Sequence, residues 1–258
     1  MAEQREAGRT QAPGLSAAWV TDVGRVREVN EDRCSALPEE GLFVVSDGMG
    51  GEAAGATAAR LVVGLTPELV SEHLSDADDP SPHDVELALS DVALELNHRI
   101  RQESESAAGG GKMGATLAVA VALGGEVVIA HVGDSRIYLL SNGGLKCLTE
   151  DHSVVGILLQ RGAISTEQAQ THPMRGRLSR YIGMGGNATA DARAVPWQPR
   201  DRLLLCSDGL TDFVPEEKIE QLLRDEEDLL GACHALADAA CEGGGRDNVT
   251  VLAVERIA

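Results

Sequence analysis

Aromatic residues are scarce in this chain: two each of Phe, Trp and Tyr, 2% of 258 residues. The core must therefore be built mainly from Leu, Val, Ile and Ala, which the overall hydrophobic content of 43% allows. Basic residues are also few, with 22 Lys and Arg against 41 Asp and Glu, for a formal net charge of −19. That balance argues against a nucleic-acid partner, because phosphate backbones are held by an excess of Lys and Arg. Paired cysteines are missing. Cys34, Cys147, Cys206, Cys233 and Cys241 are odd in number and show no C-x-x-C spacing, so they suit neither a disulfide framework nor a zinc site. The longest apolar stretch, ATLAVAVALGGEVVIAHV, is broken by Gly124-Gly125-Glu126 and reads as a hairpin, not a membrane span. The N-terminal MAEQREAGRTQAPGLS has no apolar signal-peptide core. Together these absences predict a cytoplasmic protein with reduced thiols and no membrane partner.

What is present reads as one domain. Residues 1–14 have the composition of a flexible N-terminal tail, leaving 15–258 as a single domain. Ala17–Val23 and Leu42–Ser46 read as strands, and GRVREVNEDRC between them as a charged strand rim or loop. Helices are predicted over Glu52–Leu65 and from Ser81-Pro82 to the GGGK near 109–112, the second from Val85, Leu89, Val92, Leu96 and Ile100 recurring on one face. TLAVAVAL, EVVIAHVGD, RIYLL and LKCLT, separated by Gly-rich turns, predict an antiparallel meander. Further on, Ser153–Arg161, Glu216–Arg224 and Leu229–Cys241 read as helices, and Arg202–Ser207 and Asn248–Val254 as strands. Helices grouped between blocks of antiparallel strands favour an α+β layered fold over a doubly wound parallel sheet.

The chemistry is suggested by carboxylates placed where strands meet turns. They are Asp47 in VVSDG, Asp134 in HVGDSR, Asp208 in LLLCSDG, Asp247 in GGRDNVTV, and Glu31-Asp32 in VNEDR. Taken singly, each has a plainer explanation, since Asp before Gly is a common turn former. If several tips converge, their like charges repel unless a cation neutralises them. An all-oxygen ligand set without prominent histidine points to Mg²⁺ or Mn²⁺. Gly48 and Gly209, which follow two of the aspartates, are expected to let the backbone turn sharply, with the Gly48 carbonyl available as a ligand.

VREVNEDR, VVSDGMGGEAAG, KMGATLAVA, IAHVGDSRIYLL, LTEDHS, LLLCSDGLTD and GGRDNVTVLAV follow one another from near residue 26 to residue 254. In that order they resemble the metal-dependent protein phosphatases, the type-2C serine/threonine phosphatase (PPM) family, in its bacterial form. The resemblance implies a four-layer α-β-β-α sandwich of two antiparallel sheets flanked by helix pairs, with a two-metal centre of Mn²⁺ or Mg²⁺ at one end. By the same resemblance Asp47 bridges both metals and Gly48 offers its carbonyl. Asp208 and Asp247 complete the first metal site, and Glu31 serves the second through water, with Asp32 orienting that water. Asp134, with Asp208, matches a third metal site of bacterial relatives. Arg27 matches the arginine that binds substrate phosphate, a role its guanidinium fork suits.

The implied reaction is hydrolysis of phosphoserine and phosphothreonine on proteins by a metal-activated water. The partners would be bacterial serine/threonine kinases or their targets, and the enzyme a monomer. No nucleophilic Cys is required, and Cys206 reads as core packing. Eukaryotic relatives carry histidine after the Asp-Gly, as a proton donor to the leaving alcohol; this chain has Met49, whose thioether cannot donate a proton. His131 and His152 stand as candidates for that proton or as structural histidines. QRGAISTEQAQTHPMRGRLSRYIG resembles the flap of bacterial relatives, with Arg175, Arg177 and Arg180 facing a phosphorylated substrate or simply solvent. The alternative function is a catalytically silent phosphatase-fold regulatory or binding module, which would more plausibly have lost one of the metal carboxylates.

Overall fold

The computed structural model describes residues 5–75, 77–106 and 113–257. Its strands are β1 (Arg5–Ala12), β2 (Leu15–Asp22), β3 (Arg33–Leu37), β4 (Leu42–Ser46), β5 (Gly48–Met49), β6 (Gly114–Ala115), β7 (Leu117–Leu123), β8 (Glu126–Val132), β9 (Arg136–Ser141), β10 (Gly144–Cys147), β11 (Asp191–Pro196), β12 (Arg202–Cys206) and β13 (Val249–Arg256). Its helices are α1 (Glu52–Leu74), α2 (Pro82–Ser106), α3 (Val154–Gln160), α4 (Thr166–Gln170), α5 (Asp208–Thr211), α6 (Glu216–Asp225) and α7 (Leu229–Glu242).

One antiparallel sheet runs β1-β2-β13-β12-β9-β10 and the second β11-β8-β7-β4-β3. Between them lies an apolar layer that includes Phe43, Val45, Ile129, Ile137, Leu205 and Leu252. Trp197 fills it from the segment after β11, fully buried, with its indole N–H donating to the Asp201 carbonyl at 3.2 Å. Helices α1 and α2 cover the five-stranded sheet through Val62, Leu69, Leu89 and Leu96, while α6 and α7 cover the other through Ile219, Leu223 and Leu236. This is the expected four-layer α-β-β-α arrangement, and small Ala and Val side chains let its layers close with few aromatic rings.

Three local expectations need correction. Arg5–Ala12, expected within the flexible tail, is the edge strand β1, paired in register with β2 across the Pro13-Gly14 turn. Gly8 faces Trp19 there, and a Cβ on Gly8 would collide with the indole. At the strand's start, Arg5 Nε donates to Asp22 at 2.5 Å and Nη1 to Asp238 at 2.7 Å. Helix α1 runs on to Leu74, nine residues past the expected Leu65, with Pro67 inside it. Burial of Leu69 and Val70 against the core outweighs the hydrogen bond that proline removes. Strand β11 was not expected at all. The GGGK expected to end α2 lies outside the described residues.

Candidate metal centre

Both Ser-Asp-Gly segments end a buried strand, and the serines explain why each aspartate is where it is. Ser46 is fully buried, and its Oγ donates to the Thr116 carbonyl at 2.6 Å. Thr116 in turn brackets Asp47: its Oγ1 accepts from the Asp47 N–H at 2.9 Å, and its own N–H donates to the Asp47 carbonyl at 2.8 Å. Ser207 stands at the N-terminus of α5, yet its hydroxyl does not cap the helix. That hydroxyl donates to Asp32 Oδ2 at 2.7 Å and accepts from the Thr250 N–H at 3.0 Å. Ser207 therefore ties the loop before β3 to the ends of β12 and β13.

Gly48 and Gly209 do not adopt the left-handed conformations that a sharp turn would need. Each is required by close approach instead. A Cβ on Gly48 would overlap the Gly55 carbonyl of α1, and one on Gly209 would overlap the Asn248 carbonyl.

The expected carboxylates meet in one cleft of about 950 Å³, lined by Glu31, Asp47, Gly48, Asp134, Asp208, Asp247 and Arg27. Asp32 lies just beneath, fully buried. Arg27 Nη2 donates to Asp247 Oδ2 at 2.9 Å, and its Nη1 is 3.9 Å from Glu31 Oε2. The hydrogen bond to Asp247, with that carboxylate's charge, raises the Arg27 pKa above its already high value.

Electrostatically this cluster is under strain. Burial, then the charges of Asp32, Asp208, Asp134 and Asp247, hold the Asp47 carboxyl well above the usual range. Burial, then Asp134, Asp212, Asp247 and Asp32, do the same to Asp208. Burial pushes Asp32 up to about 6 against the hydrogen bonds from Ser207 and Thr250. Burial and the charge of Asp151 push Asp134 up to about 7. Oδ1 of Asp32 and Oδ1 of Asp208 are buried without a hydrogen-bond donor among the described residues. Anionic oxygens aimed inward without donors fit a hard divalent cation, which would remove the mutual repulsion and stabilise the ionised forms.

Asn248 is the site residue the sequence reading missed. Its Oδ1 accepts from the Glu31 N–H at 2.8 Å, and its Nδ2 donates to the carbonyls of Val23 and Val29 at 2.9 and 3.0 Å. It pins the loop carrying Arg27 and Glu31 onto the start of β13. Its place directly after Asp247 in GGRDNVTV was the available signal, which the sequence read only as an ordinary loop residue.

His131 and His152 do not line the carboxylate cleft and stack on each other, with ring centroids 4.4 Å apart. With Asp191 they form a trio whose ligand atoms lie within 4.8 Å of one another, a spacing that could admit a cation. The hydrogen bonds point elsewhere. The Gly133 N–H donates to His152 Nδ1 at 3.2 Å, so Nε2 carries the proton and faces Asp191 Oδ2 at 3.1 Å. A metal on Nε2 would require that proton to leave while Nδ1 stays an acceptor, an imidazolate. The trio therefore reads as a structural tie. Burial and the neighbouring His131 lower the His152 pKa to about 4, which keeps the ring neutral.

The thiols take no part in this chemistry. All five are free, and burial pushes Cys34 and Cys233 up to about 12.

Among the segments resembling a flap, the structure sorts the arginines. Arg175 pairs with Asp212 at 2.7 Å and Arg180 with Asp191 at 2.6 Å, whereas the exposed Arg177 side chain pairs with none of the described residues. The segment also holds the short helix α4, closed by a capping box between Ser165 and Gln168 that the sequence reading passed over.

A sequence profile described as Protein phosphatase 2C matches residues 24–240. The serine/threonine phosphatase stp of Listeria monocytogenes is 40% identical over 245 residues, covering 94% of this chain and 96% of its own. The structure of the serine/threonine phosphatase Stp1 from Staphylococcus aureus superposes with a TM-score of 0.84 at 31% identity, over 96% of this chain and 98% of that one. The catalytic domain of the serine threonine protein phosphatase PstP, solved in complex with two manganese ions, superposes with a TM-score of 0.78 at 31% identity, over 95% of this chain and 99% of that one.

Proposed function

Since the chain belongs to the protein phosphatase 2C family, we propose that its carboxylate cleft removes phosphate from phosphoserine and phosphothreonine of proteins, opposing serine/threonine kinases in the cytoplasm. The observation that carries this reading is the convergence of Glu31, Asp32, Asp47, Asp134, Asp208 and Asp247, from five separate chain segments, with oxygens on Asp32 and Asp208 that no donor among the described residues reaches. Asp47, Asp208 and Asp247 would hold the first of two Mn²⁺ or Mg²⁺ ions, and the Gly48 carbonyl, beside Glu31, is a further candidate ligand in the cleft. Glu31 would serve the second, and Asp134 with Asp208 a third. Bound there, such ions supply Lewis acidity and lower the pKa of water.

The chain's own groups do the rest. Arg27 sits at the lip, tied to Asp247, and offers its fork to two phosphoryl oxygens, neutralising charge that develops on them. Asp32, held by Ser207 and buried, orients the attacking water and can carry its proton. Met49 cannot protonate the leaving alcohol. The two histidines are committed to their own contacts, so that proton comes from solvent within the cleft.

The test is phosphate release from a phosphothreonine peptide with Mn²⁺. Asp47→Asn and Asp208→Asn should each cut kcat/KM by at least about a hundredfold. Near-normal turnover in both would overturn the reading and favour the silent-module alternative.

A further inference from the structure

Three guanidinium groups line the cleft, and they are its only cations among the described residues: Arg27, Arg101 and Arg177. Arg27 bonds Asp247 and is assigned above to the reacting phosphoryl group. Arg177 is exposed and has no side-chain partner among the described residues, although its backbone is fixed by the Val154 N–H at 2.9 Å and by the neighbouring Ser153–Leu178 bridge. Arg101, near the end of α2, has only Glu105 as an ion-pair partner among the described residues, at 3.7 Å between side chains 44% and 73% exposed. Such a pair adds little and yields readily to a better partner. The apolar side chains of Met113 and Tyr181 line the same cleft.

We propose that Arg101 and Arg177 form a recognition pair for anionic groups, carboxylate or second phosphate, on substrate residues flanking the phosphorylated one; this rests on the phosphatase reading above. A chain of charge −19 repels an acidic peptide over most of its surface. The cleft itself carries more carboxylates than guanidinium groups, so the two arginines act as local contact points, placing positive charge within reach of anions that flank the phosphorylated residue. Planar forks also match carboxylate and phosphate oxygens two at a time. Because neither bonds the carboxylate cluster as Arg27 does, their effect is expected on substrate choice. Arg175 and Arg180 belong to structural ion pairs and have no part in it.

The test uses the full chain with Mn²⁺ and four phosphothreonine peptides of equal length. Flanking positions carry Ala, Glu, Lys or a second phosphothreonine, and kcat/KM is measured for each. The wild-type protein should prefer both anionic peptides over the Ala peptide by about tenfold. The Arg101→Gln/Arg177→Gln double variant should bring that ratio within about twofold of one, and Arg177→Glu should turn the preference toward a Lys-flanked peptide. A rise with Glu and phosphate alike assigns the site to charge; a rise with phosphate alone assigns it to the second phosphate. A wild-type ratio of one, or a ratio unchanged in the double variant, overturns the pair while leaving the phosphatase reading intact. Hydrolysis of none of the peptides removes both.

Discussion

Asp208 has opposite effects on function and stability. It sits among like charges with one oxygen that no donor among the described residues reaches, so without a cation it costs the fold free energy. Asp208→Asn should therefore abolish turnover and yet raise the melting temperature of the metal-free protein, measured in a chelator by scanning calorimetry. A lower melting temperature for that variant would mean that Asp208 is a structural residue. His152 carries a different kind of prediction. Asn at this position keeps an acceptor for the Gly133 N–H, whereas Gln reaches toward Asp191 instead. If the Gly133 tie positions Asp134, His152→Gln should need roughly tenfold more Mn²⁺ for half-maximal activity, while His152→Asn stays near wild type. At this scale the sequence was most legible for charged residues at strand ends, because a hydrophobic run stopping at Asp-Gly shows both its strand and its tip. Asn248, Thr116 and Ser207 were illegible because their partners lie far away in sequence, and a single long-range hydrogen bond leaves no periodic trace.

Elements were legible where burial imposes a period. Val85, Leu89, Val92 and Ile100 announced α2, and the Leu-rich run announced β12, because each must present an apolar face to a layer. Strand β1 was missed because its sequence, REAGRTQA, is polar and glycine-containing, as edge strands often are. What secures it is Trp19 against Gly8 and Arg5 against Asp22 and Asp238, neither of which composition shows. Arg5→Ala should cost about 1–2 kcal/mol in a denaturant titration, since a largely buried charge-assisted pair is lost and Asp22 is left with less compensation. Helix α1 illustrates the opposite error. The Ala-rich run predicted a helix only as far as Leu65, but helix stability here comes from the buried face of Leu69 and Val70 more than from local propensity.

Across the whole molecule the raised carboxylates set a pH dependence. Asp32 and Asp134 titrate near 6 and 7 in the fold, above the 3.8 expected of an open chain. Below that lower value both states hold their protons and this stabilisation is complete; between the two the unfolded chain has released protons that the fold retains. The contribution is therefore lost as pH rises through about 6 to 7. In a chelator the melting temperature should fall between pH 5 and pH 8, and the gain on adding Mn²⁺ should be larger at pH 7.5 than at pH 5, where protons compete with the metal. An equal gain at both values would remove the cluster as the metal's seat. Among the described residues no helix is long and apolar enough to cross a membrane.

The cleft lies on a seam. Asp47 and Asp134 extend from strands of the five-stranded sheet, while Asp208 and Asp247 flank strands of the six-stranded one. Whatever cation they share would fasten two layers that are otherwise joined at this rim by side chains such as Ser207 and Asn248. Stripping it with a chelator should let the sandwich gape from that end first, with amide exchange quickening near Ser46 and Ser207 while the far rim around Trp197 stays closed.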